Sequence, residues 1–324
     1  MGLQKQLIAL AAFTILACGA STTGAVAGEP VVVTVFAAGT LAKPFTQMAR
    51  QFERTHPNII IQPQFGGSVK MVKQVTVLGQ AADVVAVADY TVIPKYMFGE
   101  DGKTRYADWY VGFVGNAITF IYTPKSKFAS EINARNWFEV LARPGVEIGR
   151  SNPDTDPSGY QTLQMLSLAA RHYARPALAE SILKNAPERN IRDTETELIS
   201  ALQLGQIDYL AIYRSDALQH HFDYLQLPAS IDLSDPKFGR DYASVAVHTK
   251  NGDLTAKPIV YALTIPRNAP HPRAALEFVR FVLGEKGREI ARDDGFKTLV
   301  PAYAVHAEQM PAALQSLTRA WPAQ

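Results

Sequence analysis

The hydrophobic pattern changes period repeatedly along the chain, and each change marks an element. Val31 to Phe36 is a β-branched apolar run without polar alternation, the pattern of a strand buried on both faces. The small turn Ala37-Ala38-Gly39-Thr40 follows, and Leu41, Phe45, Met48, Ala49 and Phe52 then recur at helical spacing until His56-Pro57 stops the helix. Asn58 to Gln62 predicts the next strand, Phe65-Gly66-Gly67-Ser68 a turn, and Val69, Val72 and Val75 one face of a second helix. A third strand runs from Asp83 to Val87. Strands alternating with helices predict a mainly parallel sheet covered on both faces, with a ligand crevice beyond the carboxyl ends of its strands.

The pattern then repeats in kind. Ala117 to Tyr122 and Tyr209 to Tyr213 read as strands, and helices are expected from about Tyr160 to Tyr173 and from about Glu195 to Leu204. Ile259 to Ile265, ended by Pro266, is a further strand, followed by an amphipathic helix through Ala274, Ala275, Phe278, Val279 and Val282. The expected fold is therefore α/β in two lobes. Residues 28–115 with 256–324 form the first and 116–255 the second, and the chain crosses between them in extended strands because no Gly/Pro/Ser-rich linker separates them.

Before Gly28 the chain reads differently. Lys5 precedes an apolar run from Leu7 to Ala17, roughly eleven residues where a spanning helix needs roughly twenty. Ala25-Val26-Ala27 fits an export cleavage site, so residues 1–27 are expected to be a signal peptide. Ile15-Leu16-Ala17-Cys18-Gly19 also has the form of a lipoprotein box, in which Cys18 would be acylated. Composition narrows the partner: 324 residues with 19% charged and 47% hydrophobic side chains form a folded protein, and 32 basic against 30 acidic groups offer no general attraction to nucleic acid or anionic lipid. A small ligand is expected, and a single cysteine leaves no intrachain disulfide and no multi-cysteine metal site.

Polar signals gather at the turns. Gly39-Thr40 and Gly67-Ser68 each place backbone amides and a hydroxyl before a helix, either as ordinary caps or as halves of an anion site. Asp156-Pro157 reads as an N-cap with proline in the first turn, or as a carboxylate at a crevice mouth. Thr194 and Glu197 form a capping box that leaves Glu195 over, as a first-turn acid or a ligand. Tyr213, with Arg214 and Ser215, and Asp89-Tyr90 end strands and either reach the crevice or pack at a sheet edge. Ser68 and Lys70, two apart on a helix, do not share a face, and His220-His221 reads as a solvated pair.

Phe36-Ala37-Ala38-Gly39-Thr40-Leu41, Gly67-Ser68-Val69-Lys70, Ala81 to Pro94, Asn152 to Tyr160, Glu195 to Ile199, Ile212 to Ser215 and Lys257 to Tyr261 together resemble the tungstate/molybdate-binding proteins of ABC transporters, in the group first known from archaea. The resemblance implies a two-lobed periplasmic-binding-protein fold of type II, a monomer that is not an enzyme and carries no cofactor, and an oxyanion handed to a membrane permease. It further implies that the groups around Gly39, Thr40, Gly67 and Ser68 hold the oxyanion, and that Asp156 and Glu195 bind its metal directly, with Asp154 and Glu197 as substitutes. Thr40 stands where the family usually has Ser, and Ser158 where it often has Cys. Tyr213 joins the expected ligand set. Phosphate, sulfate or ferric ion on the same fold is the alternative cargo. An exported hydrolase using Ser68 is the alternative from another class.

Overall fold

The computed structural model describes residues 29–99, 104–193 and 195–321, with the backbone alone of Glu195. The expected signal peptide, Cys18 and the Thr194 cap lie outside the described residues. The apolar run becomes β1 (Val31–Ala38), buried over its last four residues, and a 3₁₀ turn at Gly39–Leu41 leads into α1 (Ala42–Glu53). Next come β2 (Ile59–Gly66), α2 (Ser68–Thr76), β3 (Val84–Val87) and α3 (Val92–Met97). The chain leaves this lobe through β4 (Tyr110–Gly115) and enters the other through β5 (Ile118–Tyr122), so only Asn116 and Ala117 separate the two strands.

The second lobe continues with α4 (Trp137–Leu141), β6 (Ile148–Ser151), α5 (Pro157–His172) and α6 (Leu178–Leu183). It is completed by β7 (Ile191–Arg192), α7 (Glu195–Gln203), β8 (Tyr209–Tyr213), α8 (Arg214–His220), β9 (Asp223–Tyr224), α9 (Gly239–Tyr242) and a hairpin of β10 (Ala246–Thr249) and β11 (Gly252–Thr255). The return passes through β12 (Val260–Thr264), α10 (Pro272–Leu283), α11 (Glu285–Asp293), β13 (Lys297–Val305), α12 (Ala312–Gln315) and β14 (Thr318–Ala320).

Among the described residues the two larger sheets have the orders β14-β13-β4-β12-β3-β1-β2 and β7-β6-β8-β5-β9, beside the two-stranded β10-β11. Both larger sheets are mixed, where the alternating pattern predicts mainly parallel sheets. β1 runs parallel to β2 and β3, and β6 parallel to β7 and β8, but β12 is antiparallel to β3 and β4, and β5 is antiparallel to β8 and β9. The antiparallel partners are the strands by which the chain leaves and re-enters each lobe. A chain that crosses out and back must reverse direction there, and local periodicity carries no trace of that reversal.

Helix α1 buries Pro44, Phe45, Met48, Ala49 and Phe52 against the sheet, and α10 buries Ala275, Phe278, Val279, Val282 and Leu283 beside it. The rings of Phe45 and Phe52 meet Phe278 edge to face at 6.1 and 5.5 Å, which locks the two helices in register. In the other lobe Trp137, Phe120, Ile148, Met165 and Tyr209 are sealed from solvent around β5, β6 and β8. This packing leaves the carboxyl ends of β1, β2 and β3 facing those of β6, β7 and β8.

Candidate functional site

β1, β2, β6 and β7 are each followed by a turn that leads into a helix, α1, α2, α5 and α7 respectively, and a helix start is where backbone N–H groups lack intrahelical partners. The lobes touch across the cleft. An added Cβ on Gly67 would lie 2.6 Å from the Thr155 carbonyl oxygen and 3.3 Å from Asp156 Cβ, so only glycine permits this approach. The amide of Gln219 donates to the Thr40 carbonyl at 3.4 Å, Tyr160 OH donates to Asp89 Oδ2 at 2.7 Å, and α7 packs against the Gly39–Leu41 turn. These contacts describe a closed arrangement.

Neither hydroxyl of the two first-lobe turns caps its own helix. Ser68 Oγ accepts the Ala88 amide at 2.9 Å, which leaves its proton for a ligand. Thr40 Oγ1 lies 2.9 Å from Tyr261 OH, and Asn116 Nδ2 donates to both Tyr261 OH (3.2 Å) and Ser215 Oγ (2.8 Å). Thr40 and Ser68 are each 1% exposed, and Gly67 is buried beside them. The cradle thus joins the first lobe, the crossing residue Asn116 and the second lobe in one hydrogen-bonded chain.

Asp156 caps α5, accepting the Ser158 amide at 2.7 Å, with Pro157 in the first turn as the sequence pattern implies. Gly159 lets that turn fold back tightly, since a Cβ there would meet the Ser151 carbonyl at 2.6 Å. The Asp156 carboxyl is buried and pushed up to about 6, chiefly by burial, against the Ser158 amide and hydroxyl that hold it down, with Asp193 adding repulsion. Asp216, in the first turn of α8, is also buried and raised well above the ordinary carboxylate range, first by burial and then by the charge of Asp156. Among the described residues no Lys, Arg or His forms an ion pair with either acid.

The remaining expected residues are placed as follows. Glu195 opens α7, with its side chain outside the description. Glu197, its substitute, is exposed. Asp154 is engaged elsewhere: its carboxylate accepts the Lys250 amide at 2.9 Å, which ties the turn to the β10–β11 hairpin. Tyr213 is interior rather than at an edge, with its hydroxyl donating to Gln161 Oε1 at 2.7 Å and its ring edge-on to Tyr261 at 5.7 Å. Lys70 is exposed while Ser68 is buried, so the two cannot act as a dyad, and His220 and His221 are both exposed. Ser215 reaches the cluster as one alternative for the end of β8 implied, whereas Asn116, Tyr261, Gln219 and Asp216 are not proposed as site residues from the sequence. They lack any local motif, because their common address exists only after the chain has crossed between lobes. A separate cavity of about 570 Å³ is lined by Tyr90, Lys237, Arg240, Lys257, Tyr303 and Trp321 among others.

Two interlocked α/β sheets with helix starts meeting in a closed cleft define a solute-binding protein. The chain belongs to the bacterial extracellular solute-binding protein family, whose sequence profile matches residues 33–297. An uncharacterized solute-binding protein of Petrotoga mobilis is 39% identical over 293 residues, covering 89% of this chain and 90% of that one. The molybdate/tungstate-binding protein WtpA of Pyrococcus abyssi is 36% identical over 335 residues, covering 94% and 95%. Among solved structures, the periplasmic molybdate-binding protein of Azotobacter vinelandii superposes with TM-score 0.58 at 18% identity, covering 82% of this chain and 98% of that one. The sulfate-binding protein SubI of Mycobacterium tuberculosis does so with TM-score 0.57 at 15% identity, covering 88% and 90%. Those two likenesses show the fold alone.

The Gly67 contact separates closure from folding. Its backbone lies at φ −56°, ψ 133°, accessible to any residue, so Gly67→Ala should fold normally but resist closing. Ligand affinity measured by calorimetry is expected to fall by about tenfold or more, with the melting temperature of the ligand-free protein nearly unchanged. An unaltered affinity would contradict the closed contact.

The buried acid also has a signature in pH. Asp156 titrates higher folded than unfolded, so its stabilising proton is fully bound below the unfolded value near 4 and lost as pH rises through the folded value of about 6. Urea denaturation of the ligand-free protein is expected to show a gain of up to roughly 3 kcal/mol from this group as pH falls from about 7 to 4, absent from Asp156→Asn. Parallel pH profiles for the two proteins would refute the assignment.

Proposed function

We propose that this chain captures tungstate or molybdate in the cleft between its lobes and presents the oxyanion to an ABC permease. The observation that carries the reading is Asp156: a carboxyl buried without a cationic partner among the described residues, in a cleft whose other donors, helix amides and hydroxyls, suit an anion. The 36% identity with the Pyrococcus abyssi protein over nearly the whole chain supports it.

A buried carboxylate and a divalent oxyanion repel in a low-dielectric site, so a receptor for sulfate gains nothing from Asp156. Mo(VI) and W(VI) resolve the conflict by expanding from four to six ligands and accepting hard carboxylate oxygens at the metal. Asp156 and Glu195 are the proposed donors, with the amides about Gly39 and Gly67 and the hydroxyls of Thr40 and Ser68 on the oxo oxygens. Tyr213 supports the floor through Gln161. Sulfur stays four-coordinate, so the same acids that hold the metal exclude sulfate. The metal arrives as cargo, and no resident cofactor or catalytic step is part of the proposal. A serine hydrolase fares worse, because buried Ser68 accepts a backbone amide and Lys70 faces solvent.

Residues 1–27 serve as the export signal in this reading, so that the mature protein acts outside the cytoplasm as a monomer, either soluble from Gly28 or anchored through Cys18. Mass spectrometry of the exported protein is expected to find one of those two N-termini; a retained Met1 would contradict export.

Calorimetry with sodium tungstate, molybdate, sulfate and phosphate tests the central claim. Tight equimolar binding of the first two is expected, with sulfate and phosphate weaker by at least about a hundredfold, and Asp156→Ala is expected to lower tungstate affinity by about a hundredfold. Preferential binding of sulfate or phosphate would overturn the reading, as would an Asp156→Ala protein with undiminished tungstate affinity.

A further inference from the structure

The cavity of about 570 Å³ beside Trp321 has none of Thr40, Ser68, Asp156 or Tyr261 in its walls, so it is distinct from the oxyanion cleft. Its volume falls in the range of small-molecule pockets, about 300–1,000 Å³, and a tetrahedral oxyanion would leave most of it empty. One wall is aromatic. The Trp321 ring centre lies 4.5 Å from that of Tyr90 and 5.6 Å from that of Tyr303. A Cβ on Gly112 of β4 would stand 2.6 Å from the indole, so glycine there reserves its seat. The opposite lobe brings positive charge. Lys237 and Arg240 come from the second lobe around α9, and Lys257 from the crossing between β11 and β12, with its Nζ 5.7 Å from the centre of the Tyr90 ring. Among the described residues no acidic side chain lines the cavity, and none of the three cations forms an ion pair.

Like charges on the walls of one cavity repel, and low-dielectric walls concentrate their field on whatever fills it. An anion relieves that repulsion. The aromatic wall adds a second requirement, a flat apolar ring that stacks on it or meets it edge to face. We propose that this cavity is a second ligand site, which takes a small aromatic carboxylate with its charge against Lys237, Arg240 and Lys257 and its ring against Trp321, Tyr303 and Tyr90. Arg240 is the member best matched to a carboxylate, because a guanidinium offers paired N–H donors in one plane. The walls belong to both lobes, so a molecule seated there meets the first through its ring and the second through its charge. The site owes nothing to the occupant of the oxyanion cleft, and its test uses no tungstate.

Calorimetry with two probes of one shape tests both requirements. Sodium 2-naphthoate is expected to bind the parent in equimolar ratio, and neutral 2-naphthalenemethanol about tenfold or more weakly. The double variant Arg240→Gln/Lys257→Gln removes two charges that lie outside the core. It is expected to lose about tenfold in affinity for the carboxylate and to keep the parent's affinity for the alcohol within about twofold. Trp321→Leu is expected to weaken both probes by about fivefold or more. Thermal melts establish that each variant is folded, and should Trp321→Leu fail to fold, the double variant decides alone. Equal affinity of the parent for the two probes would overturn the proposal, since an apolar hole binds both alike. Undiminished naphthoate binding by the double variant would overturn it too, as would a parent that binds no naphthoate at millimolar concentration.

Discussion

A carboxyl group buried at the start of a helix, with no lysine or arginine among the described residues paired to it, is the constraint around which this molecule is arranged. The Ser158 amide and hydroxyl at the start of α5 are the groups that lower the cost of burying Asp156. They are insufficient to hold it in the ordinary carboxylate range. Under the proposed function, the buried acid is a cost that a bound metal centre would relieve and a plain oxyanion would worsen. Selectivity in this reading comes from that unrelieved cost more than from added contacts.

The closed arrangement follows from the same geometry. Parallel strands β1, β2 and β3 aim their turns at those following β6, β7 and β8, and the lobes meet where side chains are smallest, at Gly67 against Thr155 and Asp156. Polar contacts such as Tyr160 to Asp89 and Lys73 to Asn251 lie around this approach rather than in it. They are the kind of interaction that breaks and reforms with little net cost in water, as a receptor that must release its cargo requires. The crossings are short, two residues between β4 and β5 and four between β11 and β12.

How much of this was legible beforehand differs by kind of residue. Strand β8, read from Tyr209 to Tyr213, has those bounds in the structure, and α5 begins at Pro157 because Asp156-Pro157 is a strong local start signal. Gly67 and Ser68 were visible as a turn, but the reason for glycine, contact with the opposite lobe, was not. Ordinary capping was the plain alternative for Thr40 and Ser68, and their hydroxyls bond instead to Tyr261 and Ala88. Asp216 carried no signal at all: an acid in the first turn of a helix is unremarkable until its burial is known.

Local order was therefore determined by the sequence itself, because hydrophobic period, proline, glycine and capping residues act over a few neighbours: the two-lobed α/β plan, the strands and helices, and the turns that face the cleft follow from them. The mixed direction of both sheets, the union of Thr40, Asn116, Ser215 and Tyr261, and the confinement of Asp156 with Asp216 were decided only in three dimensions. Sequence positions separated by 99 and 145 residues share hydrogen bonds there, and a carboxyl's protonation depends on what surrounds it in space rather than on its neighbours in the chain.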